Sequence, residues 1–206
     1  MQRLSLFRTA LIAIVAAACG GGSAPVAPGG VPSRELKTLV DLTTGLEVTS
    51  GGTGTWNYAG QSFLIGDKAT YDHLRFHWYT FQRTPAAFGT LTLLTQEYLG
   101  LPRDLSPTTP GFVARSTRIE ANVYVFGETV SISGAQRYWA YTDINGAFAA
   151  SFDQDIYSGG DMYVTGVESL PFRKAAASGR MVNGVLVPPP SGVYVDANFK
   201  LQAIAR

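Results

Sequence analysis

Cysteine and histidine are almost missing from this 206-residue chain, which holds one cysteine, Cys19, and two histidines, His73 and His77. One cysteine excludes an intramolecular disulfide, so packing alone must hold the fold. Charge is sparse too: Asp, Glu, Lys and Arg make up 15% of the residues, and no run of like charge occurs. That excludes an acidic tail or a basic arm, and leaves no cationic excess to track a phosphate backbone. Nucleic acid is therefore not an expected partner. Long apolar runs are also lacking. The most apolar stretch, TALIAIVAAA (9–18), is too short for a bilayer, which needs roughly 20 residues. The signatures HExxH, P-loop and GxSxG are absent, Gly60-Gln61-Ser62 continuing into Phe63-Leu64. Neither a cofactor nor serine or metal hydrolysis is expected.

The N-terminus has the order of a secretory signal: Arg3 and Arg8, the apolar run, then small residues and Cys19. Ala16-Ala17-Ala18-Cys19 resembles a bacterial lipobox, in which cleavage leaves a lipid-modified cysteine as the new terminus. The resemblance implies a signal over 1–18, a lipid on Cys19 and export to the cell envelope, with the membrane reached through the lipid alone. Gly20 in place of aspartate resembles outer-membrane sorting in a host that has such a membrane. Residues 19–33, CGGGSAPVAPGGVPS, have a tether's composition, rich in Gly, Pro and Ser without periodicity. Loss of Arg3 and Arg8 with the signal takes Lys and Arg from 16 to 14 against 15 Asp and Glu.

Residues 34–206 read as one all-β domain. Period-two alternation is clearest in VYVDANFKLQAIA (193–205), where Val193, Val195, Ala197, Phe199, Leu201 and Ala203 share a face. Further strands are expected in TLVDL (38–42), QSFLI (61–65), LRFHWYTF (74–81), FGTLTLLTQ (88–96), ANVYVFG (121–127), TVSI (129–132), RYWAYT (137–142) and DMYVTGV (161–167). Turn-forming GGTG (51–54), IGD (65–67), DING (143–146) and SGGD (158–161) punctuate them, and proline-rich 100–111 and 187–192 read as exposed connections. Helix signals are thin: RELKTLVDL (34–42) could form a turn of helix and FRKAAA (172–177) is helix-friendly, but neither shows sustained 3.6 periodicity. Eight to ten strands with long crossings point to a two-sheet antiparallel β-sandwich of jelly-roll type with little helix, ahead of an up-and-down barrel.

The order AFGTLTLLTQEYLGLPRDLSPTTPGFVARS, YVF, RYWAYT, YSGGDMYV, over 87–164, resembles bacterial extracellular β-sandwich modules of the choice-of-anchor kind. More loosely it resembles galactose-binding-like jelly rolls. The resemblance implies a secreted or surface-held domain and supplies no catalytic residues to carry over.

HLRFHWYTF (73–81) concentrates both histidines beside Arg75, Trp78 and Tyr79. As a strand it turns Leu74, Phe76, Trp78 and Thr80 to the core and His73, Arg75, His77, Tyr79 and Phe81 outward. Two histidines four residues apart on a strand have Cα atoms about 13 Å apart, too far to share a zinc ion bound at about 2 Å. No metal site is expected there. An outward row of ring, imidazoles and guanidinium suits carbohydrate, whose apolar face lies on aromatic rings while its hydroxyls take polar side chains. Tyr79, with His73, Arg75 and His77, is the expected contact face. Trp56 and Tyr58, beside a glycine-rich turn, are the second choice. The resulting expectation is a non-enzymatic, surface-tethered binding module for extracellular carbohydrate. The alternatives are a structural or adhesive component contacting envelope proteins, and a glycan-acting enzyme using Glu97 with Asp153 or Asp155. DINGAF departs from a calcium loop, with Gly146 fourth and Gln154 twelfth. A sandwich-edge calcium site from Asp143, Asp153, Asp155 and Asp161 is a further alternative.

Overall fold

A computed structural model describes residues 34–43, 56–80, 82, 84–151, 155–177, 180–188 and 191–206. The expected signal, Cys19, the tether, the turn at 51–54, Phe81 and Asp153 lie outside the described residues, as does the side chain of Trp56. Arg34–Arg206 forms one compact unit.

Strands follow one another almost without interruption. They are β1 (Leu36–Asp41), β2 (Trp56–Leu64), β3 (Thr70–Tyr79), β4 (Pro85–Ala86), β5 (Leu91–Leu94) and β6 (Phe112–Arg115). Then come β7 (Arg118–Glu120), β8 (Val123–Val125), β9 (Ile132–Ser133), β10 (Arg137–Thr142) and β11 (Gly146–Ala147). The last are β12 (Met162–Thr165), β13 (Arg173–Lys174), β14 (Arg180–Val182), β15 (Val185–Val187) and β16 (Phe199–Ala205). Many are only two or three residues long, so the described residues hold more strands than the eight to ten expected. The first sheet runs β1-β16-β3-β8-β7, with β4 and β9 also on β3. The second runs β13-β12-β2-β10-β5-β6, with β11 on β2. Every pairing is antiparallel. The two sheets pack face to face as a β-sandwich, and the chain crosses between them repeatedly, as jelly-roll connectivity requires.

Neither helix-friendly segment is helical. RELKTLVDL becomes β1, where Val40 is buried and Leu36, Lys37 and Thr38 are exposed. FRKAAA contributes β13 and an isolated bridge from Ala176 to Tyr194. Helix propensity is worth only tenths of a kcal/mol per residue, and here pairing with β12 overrides it. Among the described residues the helical content is one 3-10 turn, Pro102–Asp104, in the proline-rich loop.

Between the sheets lies an aromatic core. Phe76 of β3 and Phe199 of β16 stack with centroids 5.2 Å apart. Trp78 meets Phe76 at 4.9 Å and Phe148 at 5.3 Å, and Phe63 comes from the opposite sheet. Leu74, Phe76 and Trp78 are all buried, as strand alternation predicts. The same holds for Val195, Ala197, Phe199, Leu201 and Ala203 near the C-terminus.

Alternation is broken at His73. Arg75 pairs with Gln202 and Asp72 with Ile204, so His73 and Leu74 together oppose Ala203 alone. This is a β-bulge, with His73 at a left-handed φ of 54°. Its result is a change of phase: Tyr71 on one side and Leu74 on the other both enter the core. His73 is re-aimed to Asp72, its Nδ1 2.8 Å from Asp72 Oδ1. An ionised carboxylate only accepts, so the imidazole carries its proton on Nδ1 in this pair. Asp72 also takes Arg206 Nε at 2.8 Å and lies 3.6 Å from Arg34. The Arg206 and His73 hydrogen bonds hold its carboxyl below the usual range.

A second buried carboxylate, Asp196, locks the far side of the core. Gln61 Nε2 donates to its Oδ1 at 2.9 Å, and the backbone N–H groups of Ile156 and Tyr157 donate to Oδ2. Gln61 Oε1 in turn accepts from Ala197 N. Burial pushes the Asp196 carboxyl up to about 7, against the pull of those donors.

Candidate functional site

The six residues expected to contact a ligand do not share one surface. Arg75, His77 and Tyr79 lie on the outer face of the first sheet, with His73 set apart by its bulge. Tyr58 stands on the outer face of the second sheet, in register with Thr165. The sandwich therefore offers two separate polar-aromatic faces.

On the first face the polar groups are largely engaged with one another. His77 Nε2 lies 3.0 Å from Gln202 Oε1, Arg75 pairs with Glu120 at 3.4 Å, and Lys200 pairs with Asp41 at 3.4 Å. Arg118 closes on Glu120 from the outermost strand. Burial depresses the His77 pKa, and the Lys200 and Arg75 cations add to that effect. Tyr79 lies nearly parallel to the His77 ring, centroids 6.5 Å apart, and is partly exposed.

The second face is built differently. On β10, Tyr138 and Ala140 turn to the inter-sheet core, while Trp139 and Tyr141 turn outward. Tyr141 is nevertheless fully buried, because the 95–111 and 166–172 segments fold over that side. They bring Leu105, Phe172 and Tyr98 onto Tyr141 and Tyr163, and Phe172 lies 4.9 Å from Tyr141. This small outer core explains why β5, LTLL, is buried at all four positions. Leu91 and Leu93 serve one core and Leu94 the other.

Register then sets a polar chain at the margin of that cluster. Tyr163 of β12 stands between Gly60 of β2 and Lys174 of β13, and Trp139 of β10 stands opposite Ser62 of β2. Trp139 Nε1 donates to the Tyr163 hydroxyl at 3.2 Å, which donates to Glu97 Oε1 at 2.7 Å. Lys174 Nζ donates to Asp161 Oδ2 at 2.9 Å and sits 5.2 Å from the centroid of the Tyr194 ring. Burial and the Glu97 hydrogen bond raise the Tyr163 pKa, so its hydroxyl stays protonated at neutral pH. The Asp161 hydrogen bond, with Glu97 nearby, raises that of Lys174. Trp139 is partly exposed, while Glu97 and Tyr194 are exposed. The margin thus presents two rings, two carboxylates and an ammonium.

Strand alternation in RYWAYT leaves open which aromatic faces outward, and no sequence signal states the β2–β10–β12–β13 register that brings Trp139, Tyr163 and Lys174 together. Those two facts hid this face from sequence reasoning. The remaining acidic candidates are tied into turns. Asp155 Oδ1 accepts from Tyr157 N, and Asp143 accepts from both the N–H and the hydroxyl of Thr90. Among the described residues no three His, Cys, Asp or Glu side chains converge to hold a metal ion. No helix among them is long and apolar enough to cross a membrane. No family model matches the chain, and no curated protein or solved structure matches it either.

Proposed function

We propose that the sandwich is a non-enzymatic binding module for extracellular carbohydrate, exported and held at the cell envelope by a lipid on Cys19. The observation that carries this reading is the margin formed by Trp139, Tyr163, Glu97, Lys174, Asp161 and Tyr194. Partly exposed rings stand beside charged groups pre-oriented by protein hydrogen bonds. An aromatic face takes the C–H face of a sugar ring, and fixed carboxylate and ammonium groups take its hydroxyls at little ordering cost. Tyr79 with His77 offers the second such surface, and its polar neighbours must first surrender partners to a ligand.

Glycan arrays probed with the processed protein, with Trp139→Ala and with Tyr79→Ala separate the two faces. Retention lost only in Trp139→Ala assigns the ligand to the second sheet, and retention lost only in Tyr79→Ala assigns it to the first. No glycan retained by the unmodified protein ends the carbohydrate reading. Mutual neutralisation across the first sheet's outer face favours a second reading, an envelope component that contacts proteins, which crosslinking in intact cells tests. Turnover of a glycan that Glu97→Gln abolishes would replace both with an enzyme. Cys19→Ser is expected to free the protein from membranes, and unchanged retention overturns the lipid anchor.

A further inference from the structure

Strands β14 and β15 belong to neither large sheet. They pair only with each other, Arg180 with Val187, Met181 with Leu186 and Val182 with Val185. Asn183 and Gly184, at φ of 51° and 80°, make the two-residue turn whose twist suits such a hairpin. A Cβ built on Gly184 would meet nothing within 4 Å, so the tip stands clear of the sandwich.

The composition is wrong for a finger in water. Val182, Val185 and Val187 are 38%, 66% and 42% exposed. Isolated two-stranded hairpins are marginal in water, and an apolar one gains nothing from staying there. The stretch of sequence around it carries one sign of charge. Residues 169–195 contain Arg173, Lys174 and Arg180 and no acidic residue. Lys174 is drawn to Asp161, while Arg173 is exposed.

We infer that the β14–β15 hairpin dips into the lipid surface of the membrane to which the protein is tethered, its valines among the acyl chains and the exposed Arg173 of the preceding strand, β13, among anionic headgroups. Binding of this kind rests on buried apolar area plus attraction to anionic lipid. This inference rests on the reading of an envelope-tethered protein. The 14 residues between Cys19 and Arg34 can extend at most about 50 Å, which keeps the domain within reach of the bilayer. Two contacts with one membrane would set the domain's orientation, where a tether alone would leave it free to turn.

A single thiol placed at the tip tests this. In the full chain bearing Cys19→Ser, Val185→Cys is labelled with an environment-sensitive fluorophore. The label is read with vesicles of phosphatidylcholine, with and without phosphatidylglycerol. The control label replaces Val167, which is 48% exposed in the loop following β12. A blue shift at 185 that deepens with phosphatidylglycerol and is quenched by acyl-chain nitroxides, with 167 unchanged, is the expected result. Val182→Thr with Val187→Thr keeps the β-branched shape and is expected to require about tenfold more lipid for half the shift. No shift at 185, or equal shifts at both positions, overturns the inference. A shift without vesicles that grows with protein concentration overturns it in favour of self-association. None of these outcomes touches sugar binding, which the arrays read without vesicles.

Discussion

Gly60 lies on the outer side of β2, directly opposite Tyr141 of β10. A Cβ built there falls less than 3 Å from Cδ1 and Cε1 of the Tyr141 ring. That ring has nowhere to go: it is fully buried, its hydroxyl accepts from Tyr98 N at 3.1 Å, and Phe172, Tyr163 and Tyr98 surround it at 4.9–5.9 Å. Gly60→Ala therefore overpacks the outer cluster, at a cost of about 1–3 kcal/mol. Against this stands a gain of roughly 0.5–1 kcal/mol from removing glycine inside a strand. The net expectation is a loss of about 1–2 kcal/mol. Urea unfolding, followed by tryptophan fluorescence, should show a lowered midpoint with an unchanged slope. In a Tyr141→Ala background the clashing ring atoms are absent, so the same substitution should become neutral or favourable, with a coupling of at least about 1 kcal/mol. Equal effects of Gly60→Ala in both backgrounds would refute the packing argument.

Asp196, whose carboxyl burial raises to about 7 from 3.8, binds its proton more tightly folded than unfolded. Its contribution is whole below the unfolded value and is lost as pH climbs through the folded one, up to about 4 kcal/mol in all. Thermal midpoints across that range should fall with rising pH, and Asp196→Asn should flatten the slope. Asp72 acts in the opposite sense, losing its contribution only as pH drops below the ordinary carboxylate range. Ala121, at φ 45° in the two-residue β7–β8 turn, bears a left-handed strain that glycine does not. Ala121→Gly should raise stability by roughly 0.5–1 kcal/mol, and an unchanged urea midpoint would contradict that. Trp78 Nε1 is buried without a hydrogen-bond partner. Trp78→Phe, which removes the orphan donor with part of the ring, should thus cost under about 1.5 kcal/mol, against about 3–5 for Trp78→Ala.

Period-two patterning carried the fold class because most strands have one face on the inter-sheet core. RYWAYT coincides with β10, and Leu74, Phe76 and Trp78 point where alternation places them. Patterning failed where a second layer covers the outer face. Asp196 and Asn198 alternate with core residues yet are buried, Asp196 beneath the 155–157 backbone that binds it. It also failed at turns. Two Asn-Gly pairs exist, and only Asn183-Gly184 adopts the positive φ expected of DING (143–146). At 143–146 the Asp143 carboxylate clamps Thr90 instead. The His73 bulge was invisible because nothing in HLRFHWYTF marks a left-handed residue. The Trp139–Tyr163–Glu97 chain depends on cross-strand register between segments far apart in sequence, which local patterning does not encode.

The placement of β16 has a consequence for how the molecule is made. It is the last strand in chain order, yet β1 flanks it on one side and β3 on the other. Until Phe199–Ala205 is available, those two strands have no common neighbour, and the aromatic core lacks Phe199 and Leu201. A chain synthesised only as far as β15 can collapse, but it cannot close its first sheet. Contacts this distant in sequence also close slowly. The order of strands thereby keeps the first sheet open until Phe199–Ala205 joins it.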